Sequence, residues 1–381
     1  FKNDKWGQEI NDWYLSTEFI SYENLGEKNS DKYQYVLPNF NFEKNVEIPA
    51  DYNGSFTFYS SGYQKNYDTN IYEAVINNNF SYESFDYILD NGIQNNYKLL
   101  VQNNNKYSEA DSVIDYHDTD LYGTALFKSS FPLKKELEDS INYFKPIMSA
   151  RYSPNGSNDI SDDNVRLNYS NIFGMNRIGT SDTVESGGSI SLGAEFEKIN
   201  LAREKIYGLK IANTFKSRNN ENLPTSSSLN KTRSDIVGNF YYKPNKNFDL
   251  DYTFSANRDL EYINDNNLSL NFQTANFATK FDYNLEHNDL AVNEHITNTT
   301  TFIFDERSKI DFKTAKDLET SFTEYVDLIY TYESDCLSAE LEFKRTFYRS
   351  GNAKPDSSLF LLIKFIPFAE FRARDRGIQN Y

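Results

Sequence analysis

A single cysteine, Cys336, in 381 residues excludes any disulfide within the chain. No apolar run approaches the roughly 20 residues a membrane helix needs. Strands remain open as a way across a bilayer, since each needs only about 9–11 alternating residues. Positive charge is scarce, with 39 Lys and Arg against 56 Asp and Glu, for a formal net charge of −17. That field has the wrong sign for a phosphate backbone and disfavours nucleic acid as a partner. Hydrophobic residues reach only 38% and mean hydropathy is −0.71, too little Leu, Ile and Val for a thick dry core. The sequence opens on Phe1 without a signal segment, so a processed or truncated chain is expected.

Aromatic residues are plentiful, with 29 Tyr and 30 Phe, which excludes a disordered chain. Bulky rings on an otherwise polar chain suit a structure with one apolar face and one wet face. The length allows two compact domains or one large barrel. From Gly188 onward the residues alternate. Ile190, Leu192, Ala194 and Phe196 oppose Ser191, Gly193 and Glu195; Phe248, Leu250, Tyr252 and Phe254 oppose Asp249, Asp251, Thr253 and Ser255; Leu337, Ala339, Leu341 and Phe343 oppose Ser338, Glu340, Glu342 and Lys344. A period of two is a strand signal that a helix cannot imitate. Earlier strands are predicted near 14–22, 33–42, 54–63, 70–78, 79–90, 94–104, 119–129 and 141–152. Pro38 implies an edge, bulge or break, and 131–144 reads as a turn because Pro132 disfavours a helix. Roughly nineteen strands exceed what an open twisted sheet usually holds.

A soluble sandwich also alternates, so the connections must separate the two cases. After residue 188, short connections (198–205, 243–247, 274–276, 305–309, 334–335) alternate with long ones (216–233, 257–265, 286–296, 314–320, 349–357). That pattern predicts an all-β fold, a large antiparallel up-and-down transmembrane β-barrel, with short turns in the periplasm and long loops outside. Residues 1–381 are then one barrel or part of one, interrupted by a polar loop, 153–187, that caps or enters the lumen. The stretch near 358–366 is read as the last strand. It is apolar on both faces except Lys364, so its edge is expected to meet lipid or a partner on both sides.

No motif carries catalysis, and no enzyme activity or cofactor is expected. His117, His287 and His295 are placed in or beside loops, without metal-ligand spacing. Gly187-Gly188 precedes a strand rather than a helix, which suits a left-handed turn or bulge and not a phosphate loop. Asp162 and Asp163 in SDDN lack the Gly and Glu of an EF-hand; a solvated acidic loop is preferred over a cation site. Asp249, Asp251, Glu340 and Glu342 read as a wet lumen wall, with cation steering the alternative. A lone thiol in an oxidising compartment favours a disulfide partner outside this chain over a buried free thiol for Cys336.

Several strings resemble a known family. DDNVRLNYSNIFGMNRIGTSDTVESGGSISLGAEF (162–196) is similar to the central signature of the LPS-assembly LptD family in its alphaproteobacterial form. Asn171, Phe173, Asn176, Arg177, Asp182, Val184, Glu185 and Gly187 fit its order. FKPIMSARYSPNG (144–156), YESDCLSAELEFKRTFYR (332–349) and SSLFLLIKFIPFAEF (357–371) resemble further family segments, whereas 1–140 match by strand rhythm alone.

The resemblance implies insertion of lipopolysaccharide into the outer leaflet of the bacterial outer membrane, with an LptE-like lipoprotein plugging the lumen. It also implies delivery by periplasmic LPS-bridge proteins through an N-terminal β-jellyroll absent from this sequence. Cys336 stands where the family pairs a cysteine with that domain; the adjacent second cysteine of many members is Leu337 here. The closing strand, Leu359, Phe360, Leu361, Leu362, Ile363 and Lys364, becomes the candidate lipid gate. Asn176, Arg177, Asp182, Glu185 and Gly187 become structural residues of the lumen loop. The alternatives are a general porin or receptor barrel and a secreted β-rich adhesin or glycan-binding module.

Overall fold

The computed structural model describes residues 13–23, 33–46, 49, 52–67, 72–110, 113–154, 158–179, 183–287, 292–347, 355–365 and 369–375. Strand packing divides the chain into two units, residues 1–132, 145–193 and 213–234 in the first and 133–144, 194–212 and 235–381 in the second. Among the described residues helix is confined to short 3-10 turns, as at Thr225–Ser227.

The first unit contains β1 (Trp13–Glu23), β2 (Tyr33–Val46), β3 (Gly54–Tyr67), β4 (Tyr72–Ser84), β5 (Tyr87–Ile88), β6 (Gln94–Ala110) and β7 (Val113–Ser130). They form an antiparallel meander, β1–β2–β3–β4–β6–β7, in which β5 is a two-residue arm on β6. In the second unit β8 (Leu133–Glu136) folds back on the first residues of β9 (Ser140–Ser153). The rest of β9 pairs with β7 in the first unit. The sequence 131–144 is thus a small hairpin.

β10 (Gly187–Asn200) and β11 (Lys205–Lys216) contribute to both units. The second unit continues with β12 (Ile236–Asn245), β13 (Phe248–Ala256), β14 (Ile263–Gln273), β15 (Phe277–His287), β16 (Val292–Ile303), β17 (Ser308–Asp317), β18 (Phe322–Glu333), β19 (Leu337–Thr346), β20 (Asp356–Phe365) and β21 (Ala369–Asp375). From β11 to β21 each strand pairs antiparallel with the next. One close approach requires a glycine. The Tyr241 ring on β12 lies across Gly208 of β11, where a Cβ would collide with it, and its hydroxyl donates to Glu197 Oε1 at 2.6 Å.

Four expectations are corrected. The predicted break at 78–79 does not exist, because Asn78 bonds across the ladder on both sides, accepting from Ser60 Oγ and donating to Asn103 Oδ1. Asn, a turn former in isolation, is here a cross-strand pairing residue. The stretch 358–366 is not the last strand, since β21 pairs with β20 from Leu359↔Asp375 to Phe365↔Ala369; its charged residues hid its pattern. Several long connections shrink: β14 starts at Ile263, β16 at Val292 and β18 at Phe322, while a pronounced loop remains at 217–235. His117 and His295 lie within β7 and β16, where His295 Nδ1 is 3.6 Å from Glu324 Oε1, and His287 ends β15.

Burial runs opposite to a soluble sandwich. In the first unit Leu99, Val101, Leu121 and Phe127 are exposed, while Gln102, Asn104 and Thr124, on the other face of the same strands, are buried. In the second unit Leu328, Tyr330, Leu341 and Phe343 are exposed, whereas Asp327 and Thr331 are buried. Water would penalise that arrangement and lipid rewards it.

The arrangement predicts the cost of a charge on each face. Leu341→Arg, near the middle of β19 and outward, should destabilise the protein in lipid vesicles by roughly 2–4 kcal/mol. Glu340→Arg should cost less than about 1 kcal/mol, as lumen substitutions do. Urea unfolding measures both, and the reverse ranking would invert the assignment of faces.

Candidate functional site

The principal irregular segment joins β9 to β10 and lies in the first unit. Asparagines fold it locally. Asn168 Oδ1 accepts from the backbone of Ser170 and Asn171, Asn171 Nδ2 donates to Arg166 O at 2.8 Å, and Asn176 Oδ1 accepts from Gly179 N at 2.9 Å. Gly187 has φ 90°, a left-handed backbone that favours glycine and launches β10. Asp182 lies outside the described residues.

This lid packs on the polar face of its own wall. Tyr122 OH on β7 donates to Asn158 Oδ1 at 3.0 Å, and Asn158 N donates to Thr183 Oγ1. The β11–β12 loop leaves from the same end and clasps the lid. Ile160 N donates to Asn222 O at 2.9 Å, Ser226 Oγ to Val165 O, and Asn220 Nδ2 to Ser186 Oγ. The two loops bury apolar side chains, Leu167, Ile172, Ile178 and Val184 in the first and Leu223 and Leu229 in the second. Each such side chain contributes about 1.5–3 kcal/mol relative to exposure.

Arg177 anchors the lid to the strands. Its guanidinium grips Glu185 through two bonds, Nε to Oε2 at 2.9 Å and Nη2 to Oε1 at 2.6 Å. The remaining protons go to Ser189 Oγ (2.9 Å) and Ser191 Oγ (3.2 Å) on β10 and Thr214 Oγ1 (3.1 Å) on β11. Lys216 Nζ, at the end of β11, lies 3.1 Å from Glu185 Oε1 and donates to Leu229 O. Arg151 of β9 donates from Nε to Met175 O at 2.7 Å and from Nη1 to Glu185 O at 2.6 Å. Arg177 and Glu185 are 2% and 1% exposed. Three cations therefore lie around one carboxylate, with hydroxyls accepting the other Arg177 protons and backbone carbonyls accepting from Arg151 and Lys216.

Burial alone raises the Glu185 pKa, but the charges of Arg177, Arg151 and Lys216 outweigh it and draw the group down to about 2. The folded value lies below the ordinary one. The carboxylate's contribution is therefore present above the normal carboxylate range and is lost as pH falls through about 2. All five Arg177 donors are engaged within the cluster. It is a structural anchor rather than a reaction centre.

Of the residues singled out in sequence, Asn176, Arg177, Glu185 and Gly187 belong to this lid. Cys336 and β20 belong to the second unit, where the thiol is exposed in the β18–β19 turn. Asp249 pairs with Lys243 at 3.1 Å, and Asp251 accepts from Asn239. Asp162 and Asp163 are exposed in a turn, and among the described residues no three metal-ligating side chains converge. Sequence reasoning missed Arg151, Lys216, Ser189, Ser191, Thr214 and the clasping loop. A cation at a buried strand position, as at 151 and 216, was the available signal.

A family model, LptD: LPS transport system D, matches residues 5–321. The chain belongs to the LptD family. It is accordingly an outer-membrane β-barrel of the lipopolysaccharide transport system, and its family is a transport component. The match ends before Cys336 and β20, where the likeness rests on the motifs alone. Among solved structures, a ferric enterobactin receptor variant from Pseudomonas aeruginosa is 8% identical, over 93% of this chain and 68% of that one, with a TM-score of 0.44. The siderophore receptor PirA from Acinetobacter baumannii is 10% identical over 96% and 71%, with a TM-score of 0.41. No curated protein matches the chain.

The anchor makes a specific prediction. Glu185→Gln leaves three cations around a neutral amide, and breaking a buried pair in this way costs roughly 3–5 kcal/mol. Limited proteolysis of the protein in detergent should then cleave between 158 and 186, where the unaltered chain resists from neutral pH down through the ordinary carboxylate range. Equal resistance in the variant would remove the anchor's role.

Proposed function

We propose that this LptD-family barrel inserts lipopolysaccharide into the outer leaflet of the outer membrane. The observation that carries this reading is the family match over residues 5–321. An LptE-like lipoprotein would occupy the lumen, and periplasmic LPS-bridge proteins would deliver the lipid. The lid adds physical support: a loop bolted to the polar wall by a buried ion cluster narrows the wet space through which a large amphiphile would pass.

Release into the membrane needs a strand edge that opens. The candidate gate Leu359–Lys364 is hydrogen-bonded on both sides, by β19 and β21, so in this reading the opening edge is β21, with β20 as its apolar support. Cys336, exposed at a turn, pairs with a cysteine outside this chain and ties the short-turn end to the delivery apparatus.

Photo-crosslinking in cells tests the proposal. A benzophenone residue replacing Leu361 or Phe371 should capture lipopolysaccharide, and Cys336→Ser should abolish a disulfide-dependent mobility shift on non-reducing gels. Absence of any lipid adduct along 358–375 would overturn the insertion reading. Steady open-channel conductance of the intact assembly in planar bilayers would select a diffusion porin instead.

A further inference from the structure

The outward face of the first unit carries an interruption that a lipid-facing wall does not need. From β1 to β4 its rings form a nearly continuous run, Trp13, Phe42, Phe58 and Phe80, with neighbouring centroids 6.3, 6.0 and 4.6 Å apart. Immediately loopward the same face turns polar across four strands. Ser60 Oγ donates to Asn78 Oδ1 (2.8 Å), Asn78 Nδ2 to Asn103 Oδ1 (3.4 Å), Asn105 Nδ2 to Asn103 Oδ1 (2.7 Å) and Thr119 Oγ1 to Asn105 Oδ1 (3.1 Å). Asn103 Nδ2 also donates to Asp120 O at 3.3 Å. Strand alternation puts these side chains on the side of exposed Ile76, Phe80, Val101 and Leu121, opposite buried Asn77, Gln102 and Tyr122.

Two tyrosine pairs bracket the row on this face. Tyr82 and Tyr97 meet at the short-turn end, 5.7 Å apart, and Tyr72 and Tyr107 at the loop end, 5.6 Å apart. Tyr97 and Tyr107 are ten residues apart on β6. At about 3.3 Å per residue and a tilt of about 40°, that is roughly 25 Å of height, the height of an outer-membrane apolar band between its aromatic girdles. Asn103 and Asn105 therefore fall within the band, in its outer half. A carboxamide there is costly unless it finds partners. Each amide nitrogen carries two protons, and the network uses one on each of Asn78, Asn103 and Asn105. One donor per asparagine is left for an acceptor on the lipid side.

We propose that this row is a recognition strip on the outer wall for the amide-linked, hydroxylated acyl chains of a glycolipid. Just beneath the headgroup, such chains present carbonyl and hydroxyl acceptors where a phospholipid presents hydrocarbon. The proposal rests on the lipopolysaccharide-handling reading but concerns a different surface from the β20–β21 gate. The strip would hold the glycolipid beside the barrel in the outer leaflet and disfavour phospholipid at that position.

The test uses the full chain, reconstituted in vesicles of equal lipid A and phosphatidylglycerol, with a benzophenone residue replacing outward-facing Val101. Adducts should favour lipid A by about tenfold, the ratio that one or two hydrogen bonds carry. Combined Asn78→Leu, Asn103→Leu and Asn105→Leu should bring the ratio near unity while heat-modifiable gel migration persists, because apolar residues suit a lipid-facing wall. An unchanged ratio in the triple variant overturns the strip, as does a ratio near unity in the parent protein. Should the triple variant misfold, Asn105→Leu alone keeps the Asn78–Asn103 bond and must still lower the ratio. Lipopolysaccharide capture from Leu361 or Phe371 without preference at Val101 sinks the strip and leaves the insertion reading standing. Capture at neither place sinks both.

Discussion

A guanidinium and a carboxylate taken almost wholly out of water govern the lid. Arg177 and Glu185 neutralise each other through two parallel hydrogen bonds, the strong geometry for such a pair. The cost of dehydrating them is recovered only because the strands supply further partners. Ser189, Ser191 and Thr214 take the remaining guanidinium protons, and Lys216 shares the carboxylate. Because those partners sit on β10 and β11, the lid has one docking position on its wall. Arg151 of β9 adds bonds to the backbone beside each charged residue, at Met175 O and at the Glu185 carbonyl.

That anchor is needed because the strands offer no ordinary hydrophobic seat. Their inner face is built mostly from amides, hydroxyls and charges, and most of their apolar side chains point the other way. The lid and the β11–β12 loop therefore bury apolar side chains of their own, Ile172 and Val184 in the one and Leu223 and Leu229 in the other, and the polar wall holds the lid through directed bonds. For a lipopolysaccharide transport protein of the outer membrane this division is economical. The outer face satisfies lipid, the inner face stays wet, and the loop is held to that face by buried charge.

Much of this architecture was legible from period two alone. The opposition of Leu337, Ala339, Leu341 and Phe343 to Glu340 and Glu342 predicted β19 and its faces, and the family strings marked Arg177 and Glu185. Legibility failed where residue chemistry has two uses. The Asn77–Asn79 run has turn composition but lies inside β4, where Asn78 bonds across to both neighbouring strands. β21 breaks the alternation with Glu370, Arg372 and Arg374, so its pairing with β20 was hidden. The partners of Arg177 were invisible for a different reason. Ser and Thr on strands are unremarkable until the fold brings residues up to 37 apart in sequence to one guanidinium.

The central claim is that the buried ion cluster, and not the chain connections, holds the lid rigidly on the wall. Hydrogen exchange of the Ile172 and Gly174 amides, in the protein embedded in lipid vesicles, addresses it most directly. Both amides donate within the lid, to Asn168 O and Asn171 O. The account predicts protection comparable to the β10 amides, falling to loop-like exchange when Arg177 is replaced by Leu while β10 stays protected. Fast lid exchange in the unaltered protein, or protection that survives Arg177→Leu, would contradict it.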